Sequence, residues 1–372
     1  MVKICVLTWH DISSAYACLH YLKNELLKKV DVVDIWGFSH SSQIMDNDGF
    51  YHSFTDTWYG KIRRFRVYAS KIHAFLIALK YDVIILNDLS FFRCGYIIKK
   101  LFPNKKIIHY NTEIHGSDVT YPRHTISFYN KYANYPDMII ECLKERADYR
   151  KKEFRIQKKI YVIDNTLPQS EVKKAFVTDM DVSKYLQFKN NTVPTLIYAG
   201  GCNLSRSLGD ILDCALDFSD KLNFLFLCYG SSFDFERVRR LVDKYDNCYL
   251  YEAVDRVTLL NIMAKCDIGI QYYDPTVSIN HQLASPSKFY EYISVGLNVV
   301  SSNNYGIDRM IKEHNLGVCF TNEEGIKGGI EKLLMKGLNK RENIKKSFEK
   351  NFCYEVDSKE TLEALENLIG LQ

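Results

Sequence analysis

Short apolar runs rich in β-branched residues alternate along the chain with longer stretches in which apolar residues recur every three or four positions. This alternation is typical of parallel βαβ units. In the first half of the chain the apolar runs predict six strands, at residues 3–8, 30–35, 82–86, 106–110, 138–141 and 159–163. Helices are predicted between them, for example at 14–27 and 68–79, and a polar, aromatic-rich loop is predicted at 37–59.

The same alternation begins again after residue 193. It predicts six more strands, at 195–199, 222–229, 248–251, 268–272, 298–301 and 317–320. The intervening stretches predict helices at 209–217, 235–245, 255–264, 286–295, 325–337 and 358–369. A polar, poorly periodic stretch up to residue 193 separates the two halves and is predicted to be a linker.

Two consecutive doubly wound α/β domains are the simplest account of this pattern. We expect one domain at residues 1–170 and a second at 190–354, with the closing helix, 355–372, packing back on the first. Ligands of such sheets bind beyond the carboxyl ends of the strands. The cleft between the two domains is therefore the expected site.

Composition excludes several classes of protein. The chain has 372 residues and a net charge of +4, which does not imply affinity for nucleic acid. Its eleven cysteines are odd in number and include no CxxC pair, which favours buried reduced thiols in a reducing cytoplasm over disulfides or a zinc site. No apolar stretch approaches the roughly 18 residues of a membrane span, so the chain is expected not to cross a membrane.

The segment SPSKFYEYISVGLNVVSSN, at residues 285–303, is the most informative one. Ser285 suits a helix N-cap, Pro286 suits the first helical position, and Ser287 and Lys288 complete the first turn. A helix start with free N–H groups and a lysine can bind a phosphate group, and Glu291 lies where its carboxylate could accept from ribose hydroxyls. An ordinary capped helix is the alternative.

This segment resembles the P-x-K-x-x-E-Y-x-x-x-G-x-x-V-V motif of GT-B-fold glycosyltransferases, in particular the retaining enzymes similar to family 4. TLIYAGGCNLSRSLGDILDCA, at 195–215, is similar to the opening of their C-terminal domain, and YVIDNTLPQ, at 161–169, to the end of their N-terminal domain. The resemblance implies the GT-B fold, in which two Rossmann-like doubly wound domains face an interdomain cleft. It also implies that a nucleotide-diphospho-sugar binds to the C-terminal domain.

What the resemblance implies for single residues is a donor site without a metal ion or any other cofactor. Eight residues would contact the nucleotide. The diphosphate would meet Gly200, Gly201, Arg206, Ser287 and Lys288, the ribose would meet Glu291, and the base would meet the segment that contains Tyr251 and Val254. Two cations and a helix terminus can neutralise a leaving diphosphate. The tripeptide DMD at 179–181 falls in the predicted linker and is taken as solvated chain.

Two features depart from the family pattern. Retaining members often carry an acidic residue eight positions before the ribose glutamate, and this chain has Leu283 there. Gln282 is the substitute candidate for binding the sugar. After the first strand, where many members have glycines, the chain has bulkier residues, and among them His10 and Asp11 are equally consistent with substrate contact and with a structural loop.

The loop after the fourth predicted strand, HYNTEIHGSD at 109–118, is the third region of interest. Relatives place a histidine or an acidic residue here, near the transferred sugar. Glu113 and His115 both match and are the predicted catalytic residues, and Asp118 is a weaker candidate. Titratable groups at the carboxyl end of a strand are better than average candidates for function. A polar surface loop is the alternative.

Residues 61–106 hold eleven basic side chains against two acidic ones, interleaved with aromatic and aliphatic residues. This composition suits a surface attracted to anionic lipid, although a solvated helix face fits equally well. Given the resemblance, we expect a cytoplasmic enzyme that is peripheral on the inner face of the membrane. The expected partners are a nucleotide-sugar donor, a saccharide or lipid-linked acceptor and an anionic membrane surface, with no nucleic acid.

The sequence therefore predicts a metal-independent, retaining glycosyltransferase of surface polysaccharide biosynthesis, with UDP as the preferred nucleotide and GDP as the alternative. Two other functions stay open. One is a non-catalytic subunit of the same fold that binds sugar chains or supports a partner enzyme, and the other is a nucleotide-sugar epimerase.

Overall fold

The chain folds into two compact units. The computed structural model describes residues 2–11, 17–38, 51–54, 66–87, 89–114, 121–177, 180–202 and 208–371, with the backbone alone at 10, 11, 17, 38 and 66–68. Unit 1 comprises Met1–Asn165 together with Asp357–Gln372, and unit 2 comprises Thr166–Val356. The chain therefore passes from one unit to the other twice, at 165/166 and at 356/357.

Unit 1 contains a parallel sheet of seven strands. They are β1 (Lys3–Asp11), β2 (Val32–Phe38), β3 (Tyr51–Ser53), β4 (Val83–Asn87), β5 (Lys106–Asn111), β6 (Met138–Glu141) and β7 (Ile160–Val162). Their order across the sheet is β3-β2-β1-β4-β5-β6-β7. Every residue of β4 and β6 is buried, because a parallel sheet covered on both faces requires continuous apolar runs.

Within the described ranges, five helices connect these strands. They are α1 (Ala17–Leu26), α2 (Arg66–Ala78), α3 (Phe92–Leu101), α4 (Arg123–Tyr132) and α5 (Lys144–Glu153). Helix α3 contacts both α2 and α4, and its Gly95 allows the Leu86 and Tyr135 side chains to approach within 2.4 and 2.7 Å of the place that a Cβ would occupy. The helices thereby cover the apolar strands.

Unit 2 contains a second parallel sheet, of six strands. They are β8 (Thr195–Gly201), β9 (Asn223–Tyr229), β10 (Cys248–Glu252), β11 (Ile268–Gln271), β12 (Asn298–Ser302) and β13 (Gly317–Phe320). Their order is β10-β9-β8-β11-β12-β13. This is the strand order of the dinucleotide-binding fold, and the direction of winding reverses between β8 and β11.

In the part of the chain that the structure describes, ten helices belong to unit 2 or to its end. They are α6 (Gln169–Ala175), α7 (Gly209–Ala215), α8 (Ser232–Val242), α9 (Arg256–Met263), α10 (Ile279–Gln282), α11 (Ser287–Ser294), α12 (Tyr305–His314), α13 (Gly325–Lys336), α14 (Arg341–Asn351) and α15 (Tyr354–Asp357). No helix among the residues with described placement is both long and apolar enough to cross a membrane.

The closing helix, α16 (Lys359–Ile369), belongs to unit 1. The Thr361 hydroxyl donates to the Val162 carbonyl oxygen at 2.7 Å, Glu366 pairs with Lys29 at 2.6 Å, and Leu365 is fully buried. These contacts attach the helix to the strand at one edge of the first sheet and to the end of α1.

Two predictions from the sequence are wrong. The stretch predicted as a linker contains α6 and a 3₁₀ turn at Ser183–Tyr185, and it belongs to unit 2. Its buried side chains, Val172, Ala175, Val182 and Tyr185, are too irregularly spaced to show a period. The loop predicted at 37–59 contains β3, an edge strand of only three residues, which is too short to show an alternating pattern.

Candidate functional site

The carboxyl edge of the second sheet brings two of the predicted motifs together. Strand β8 ends at Gly200 and Gly201, and α11 lies in the connection between β11 and β12. A Cβ built on Gly200 would lie 3.0 Å from the Lys288 Nζ atom of α11. The glycine pair and the lysine helix, 87 residues apart in sequence, therefore meet where the winding of the sheet reverses, which is where such sheets bind ligands.

Helix α11 begins one residue later than predicted. Pro286 occupies the N-cap position with extended backbone (φ −76°, ψ 132°), and its carbonyl oxygen accepts from Phe289 N at 3.1 Å. The helix therefore starts at Ser287. Pro286 itself has extended backbone, but its carbonyl oxygen already accepts the first hydrogen bond of the helix. No side chain caps this helix end, so the first backbone N–H groups remain available to a ligand.

Tyr292 fixes α11 against the sheet. Its hydroxyl donates to the Ile270 carbonyl oxygen at 3.1 Å and accepts from the Ala199 amide at 3.3 Å. The ring lies over Gly269, where a Cβ would come within 2.4 Å of ring carbons. One side chain of α11 thus bonds to the two strands that flank the reversal.

Lys288 carries a cationic group that no acidic side chain of the described residues neutralises within 4 Å. The ammonium lies 4.7 Å from the centre of the Tyr198 ring and 5.9 Å from that of Tyr273. Burial lowers the pKa of Lys288 to about 8, and the negative charge of Glu291 opposes that change. A half-buried ammonium held against aromatic faces is suited to receive an anion.

Gly200 is required by this arrangement. A Cβ at this position would lie 2.8 Å from the Tyr198 hydroxyl oxygen as well as 3.0 Å from Lys288 Nζ. The Tyr198 hydroxyl also donates to the Gly201 carbonyl oxygen at 3.3 Å. Any larger residue at 200 would push the ammonium or the phenol out of place.

Glu291 is held by an arginine that the sequence reasoning missed. Arg256, the first residue of α9, donates from Nη2 to Glu291 Oε1, and its Nη1 lies 3.4 Å from Glu171 Oε1 on α6. The Glu291 side chain is only 10% exposed. The only indication in the sequence is a cationic residue in the first turn of a helix, where the helix dipole disfavours it.

Tyr251 is predicted to contact the base, but its side chain contacts other residues of unit 2. Its hydroxyl donates to the Lys184 carbonyl oxygen at 2.9 Å, and its ring packs edge-on against Tyr185 with 5.1 Å between ring centres. The segment continues to Val254, which is half-buried, and Ala253 N donates to the Cys228 carbonyl oxygen at 2.8 Å. Base contact by Tyr251 and Val254 stays a prediction, and the Tyr251 ring is already engaged.

Gln282 and Leu283 follow the same edge of the second sheet. Gln282 ends the short helix α10, where the Ser278 side chain caps the amide of His281, and Gln282 is half-buried. Leu283 is buried, with 3% of its surface exposed. Asn304 donates to the carbonyl oxygens of His281 and Tyr273, at 2.6 and 3.0 Å, and so fixes the segment that carries Gln282.

In unit 1, the backbone around Glu113 rests on two buried arginines. Arg146 Nη1 donates to the Thr112 carbonyl oxygen at 2.6 Å, and Arg150 Nη2 to that of Glu113 at 3.1 Å. Arg150 is also paired with Glu141, and both side chains are almost completely buried. Two buried arginines therefore hold the backbone at the start of the predicted catalytic loop.

Several predicted residues lie outside the described part of the chain. They are His115, Asp118, Arg206 and, for their side chains only, His10 and Asp11. Their assignments stay predictions. Within the described ranges, no three His, Cys, Asp or Glu side chains come together in a group that could hold a metal ion.

Solved structures show the same fold over the whole chain. No family model and no curated protein sequence matches this sequence. A sucrose-phosphate synthase from Thermosynechococcus elongatus is 13% identical, covers 100% of both chains and superposes with a TM-score of 0.71. A glycosyltransferase from Rickettsia africae is 12% identical over 99% of this chain and 98% of its own, with a TM-score of 0.73.

A third similar structure is described as trehalose-6-phosphate from E. coli bound with UDP-2-fluoro glucose. It is 11% identical, covers 99% of both chains and has a TM-score of 0.71. At this level of identity the likeness concerns the fold. Together with the two parallel Rossmann-like sheets of seven and six strands, it confirms the prediction that the chain has the GT-B fold.

Proposed function

We propose that this chain is a glycosyltransferase that moves a sugar from a nucleotide-diphospho-sugar to a saccharide or lipid-linked acceptor. The observation that carries the proposal is the Lys288 ammonium, which lies beside Gly200 at the reversal of the second sheet without a carboxylate partner among the described residues. Glu291, one helical turn further along α11, supplies an acceptor for the ribose. A cation and a carboxylate at this spacing suit a nucleoside diphosphate.

The proposed chemistry follows from where charge develops. The bond between the anomeric carbon of the sugar and a diphosphate oxygen breaks, and the bonding electrons leave with the diphosphate. A bond forms between that carbon and an acceptor hydroxyl oxygen, which loses its proton. Lys288 and the free N–H groups at Ser287 lie where they would stabilise the leaving charge. Arg206, as the second predicted cation, would add to this effect and make a divalent ion unnecessary.

UDP is the proposed nucleotide, because the similar E. coli structure is described as bound with UDP-2-fluoro glucose. GDP is the alternative. We assign Glu113 and His115 to the transferred sugar, Gln282 to sugar recognition and retention of configuration to the reaction, as the resemblance implies. The proposed place of the enzyme is surface polysaccharide biosynthesis.

Incubation with radiolabelled UDP- and GDP-sugars, with and without a saccharide acceptor, tests the proposal. We expect label to be transferred to the acceptor, or slowly to water, in the presence of EDTA. Glu291→Gln is expected to weaken UDP binding roughly tenfold, because it loses charge-assisted bonds to ribose. Glu313→Gln, which also removes a carboxylate paired with an arginine in unit 2, is the matched control and should bind UDP normally.

Two results would contradict the proposal in different ways. Conversion of the donor to an isomeric nucleotide-sugar would show an epimerase. Binding of saccharide without consumption of any donor would show a non-catalytic subunit. Activity that EDTA abolishes and manganese restores would overturn the metal-independent part alone.

The pKa of Lys288 generates a second prediction. Its ammonium loses a proton as the pH rises through about 8 in the free protein, and a bound diphosphate favours the charged form. UDP affinity should therefore be nearly constant up to pH 7.5 and fall roughly tenfold between pH 7.5 and 9.5. Lys288→Arg, whose guanidinium stays charged, should show no such fall. Calorimetric titrations with identical pH profiles for the two proteins would remove Lys288 from the diphosphate site.

The proposed acceptor side includes an anionic membrane surface. Helices α2 and α3, which contact each other, expose the large apolar residues Ile72, Leu76, Ile97 and Leu101, each by 43–63%. Lys71 and Lys100 are exposed beside them. Exposed apolar residues flanked by lysines fit an anionic bilayer, because the chains can enter the interface while the ammonium groups meet the headgroups.

Co-sedimentation with vesicles tests this part. The protein should bind vesicles that contain phosphatidylglycerol, and the double variant Leu76→Ser with Leu101→Ser should bind roughly tenfold less, because both residues lose apolar burial. The matched control removes two apolar residues of unit 2 that are more exposed still, Leu216→Ser with Met335→Ser, and should bind as the unchanged protein does. Equal binding to purely zwitterionic vesicles, or none at all, would leave α2 and α3 as solvated helices.

A further inference from the structure

Arg256 connects three helices of unit 2 at the site of the proposed ribose contact. Its guanidinium donates from Nη2 to Glu291 on α11 and approaches Glu171 on α6 from Nη1, while Arg256 itself begins α9. Helices α6 and α9 are docked by Asn261, whose amide donates to the Ala175 carbonyl oxygen at 2.8 Å. The carboxylate and the arginine that holds it are therefore both mounted on packed helices.

The position of Arg256 in its own helix calls for an explanation. The N-terminus of a helix carries a partial positive charge, so a cation there is unfavourable. The N-cap Asp255, which accepts from the Thr258 amide at 3.0 Å, already satisfies this helix end. Two carboxylates from other helices, those of Glu171 and Glu291, are what stabilise the arginine at this place.

The pair leaves half of the Glu291 carboxylate open. Oε1 accepts from Arg256, whereas Oε2 makes no hydrogen bond to any residue that the structure describes. A glutamate side chain has three rotatable bonds, and fixing them on ligand binding costs conformational entropy. An arginine that holds one oxygen lowers that cost and leaves the other oxygen able to accept a hydrogen bond from a ligand.

We propose that Arg256 is the positioning residue for the ribose of the donor. It orients Glu291 so that Oε2 accepts from a ribose hydroxyl, and Glu171 in turn anchors Arg256. This inference rests on the proposed function, and it adds a residue that does not itself contact the nucleotide. A structural ion pair that only joins α9 to α11 would support stability and leave recognition of the ribose unchanged.

The two readings differ in which ligands lose affinity. If Arg256 acts through Glu291, its loss weakens UDP but has little effect on UDP analogues that lack the ribose hydroxyl which Glu291 accepts. A structural pair would lower the melting temperature and change the affinity for all these ligands by the same factor. The ratio of the affinities is therefore the decisive readout, because it is insensitive to a general loss of stability.

The experiment is calorimetric titration of the full chain with UDP, 2′-deoxy-UDP and 3′-deoxy-UDP. For the unchanged protein we expect one of the deoxy analogues to bind at least tenfold more weakly than UDP. In Arg256→Gln, UDP should weaken roughly tenfold and that analogue less than twofold, so that the ratio between them nearly disappears. Arg256→Lys, which keeps the charge but not the two-pronged geometry, should recover part of the ratio.

Arg239→Gln is the matched control, because Arg239 also pairs with a glutamate in unit 2, at 3.6 Å on α8. It should leave all three affinities unchanged. If Arg256→Gln folds poorly, the test rests on Arg256→Lys alone. In that variant, a ratio of UDP affinity to deoxy-analogue affinity equal to that of the unchanged protein would overturn the inference, and so would an equal loss of all three affinities. Failure of the unchanged protein to bind either UDP or GDP would overturn the proposed function as well. Normal UDP binding with an unaffected Arg256→Gln would overturn the positioning role only.

Discussion

The proposed donor site depends on how closely α11 lies against the second sheet. Gly269 leaves room for the Tyr292 ring, and the Tyr292 hydroxyl bonds to backbone atoms of both β8 and β11. Because Lys288 and Glu291 are on the same helix, the Tyr292 contact helps to set the height of both above the strand ends.

The charged groups described in the two units differ in whether their hydrogen-bonding capacity is satisfied. In unit 1 the buried Arg150 is satisfied by Glu141, the Tyr129 hydroxyl at 2.8 Å and a backbone carbonyl, so it supports a loop and offers little to a ligand. In unit 2 Lys288 has aromatic neighbours and, among the described residues, no carboxylate within ion-pair distance, and one oxygen of Glu291 accepts no hydrogen bond from those residues. Breaking a buried pair costs several kcal/mol, so the groups left unpaired are the ones available to a substrate.

Most of the fold could be predicted from the sequence, because a parallel sheet needs continuous apolar runs that are visible without any partner. The strands Met138–Glu141 and Gly317–Phe320 have the predicted bounds. Strand β3 could not be found, since its three residues are specified by pairing with β2. Helix α6 was missed because its buried residues face α9, which lies some eighty positions away in sequence.

Only those parts of the site that lie in local sequence motifs could be predicted. The motifs around Gly200 and Lys288 pointed to one ligand, and the structure brings them within contact of each other. Arg256 and Tyr198 act through contacts over more than 30 positions in sequence, for which no spacing rule exists. The GT-B fold alone does not define a reaction, since function depends on the site that a fold carries.

A crystal structure of the full chain with UDP tests the central claim most directly. We predict the diphosphate at Lys288 Nζ and the amides of Ser287 and Lys288, with a ribose hydroxyl donating to Glu291 Oε2 while Oε1 stays on Arg256. UDP bound elsewhere, with Lys288 and Glu291 untouched, would contradict the account.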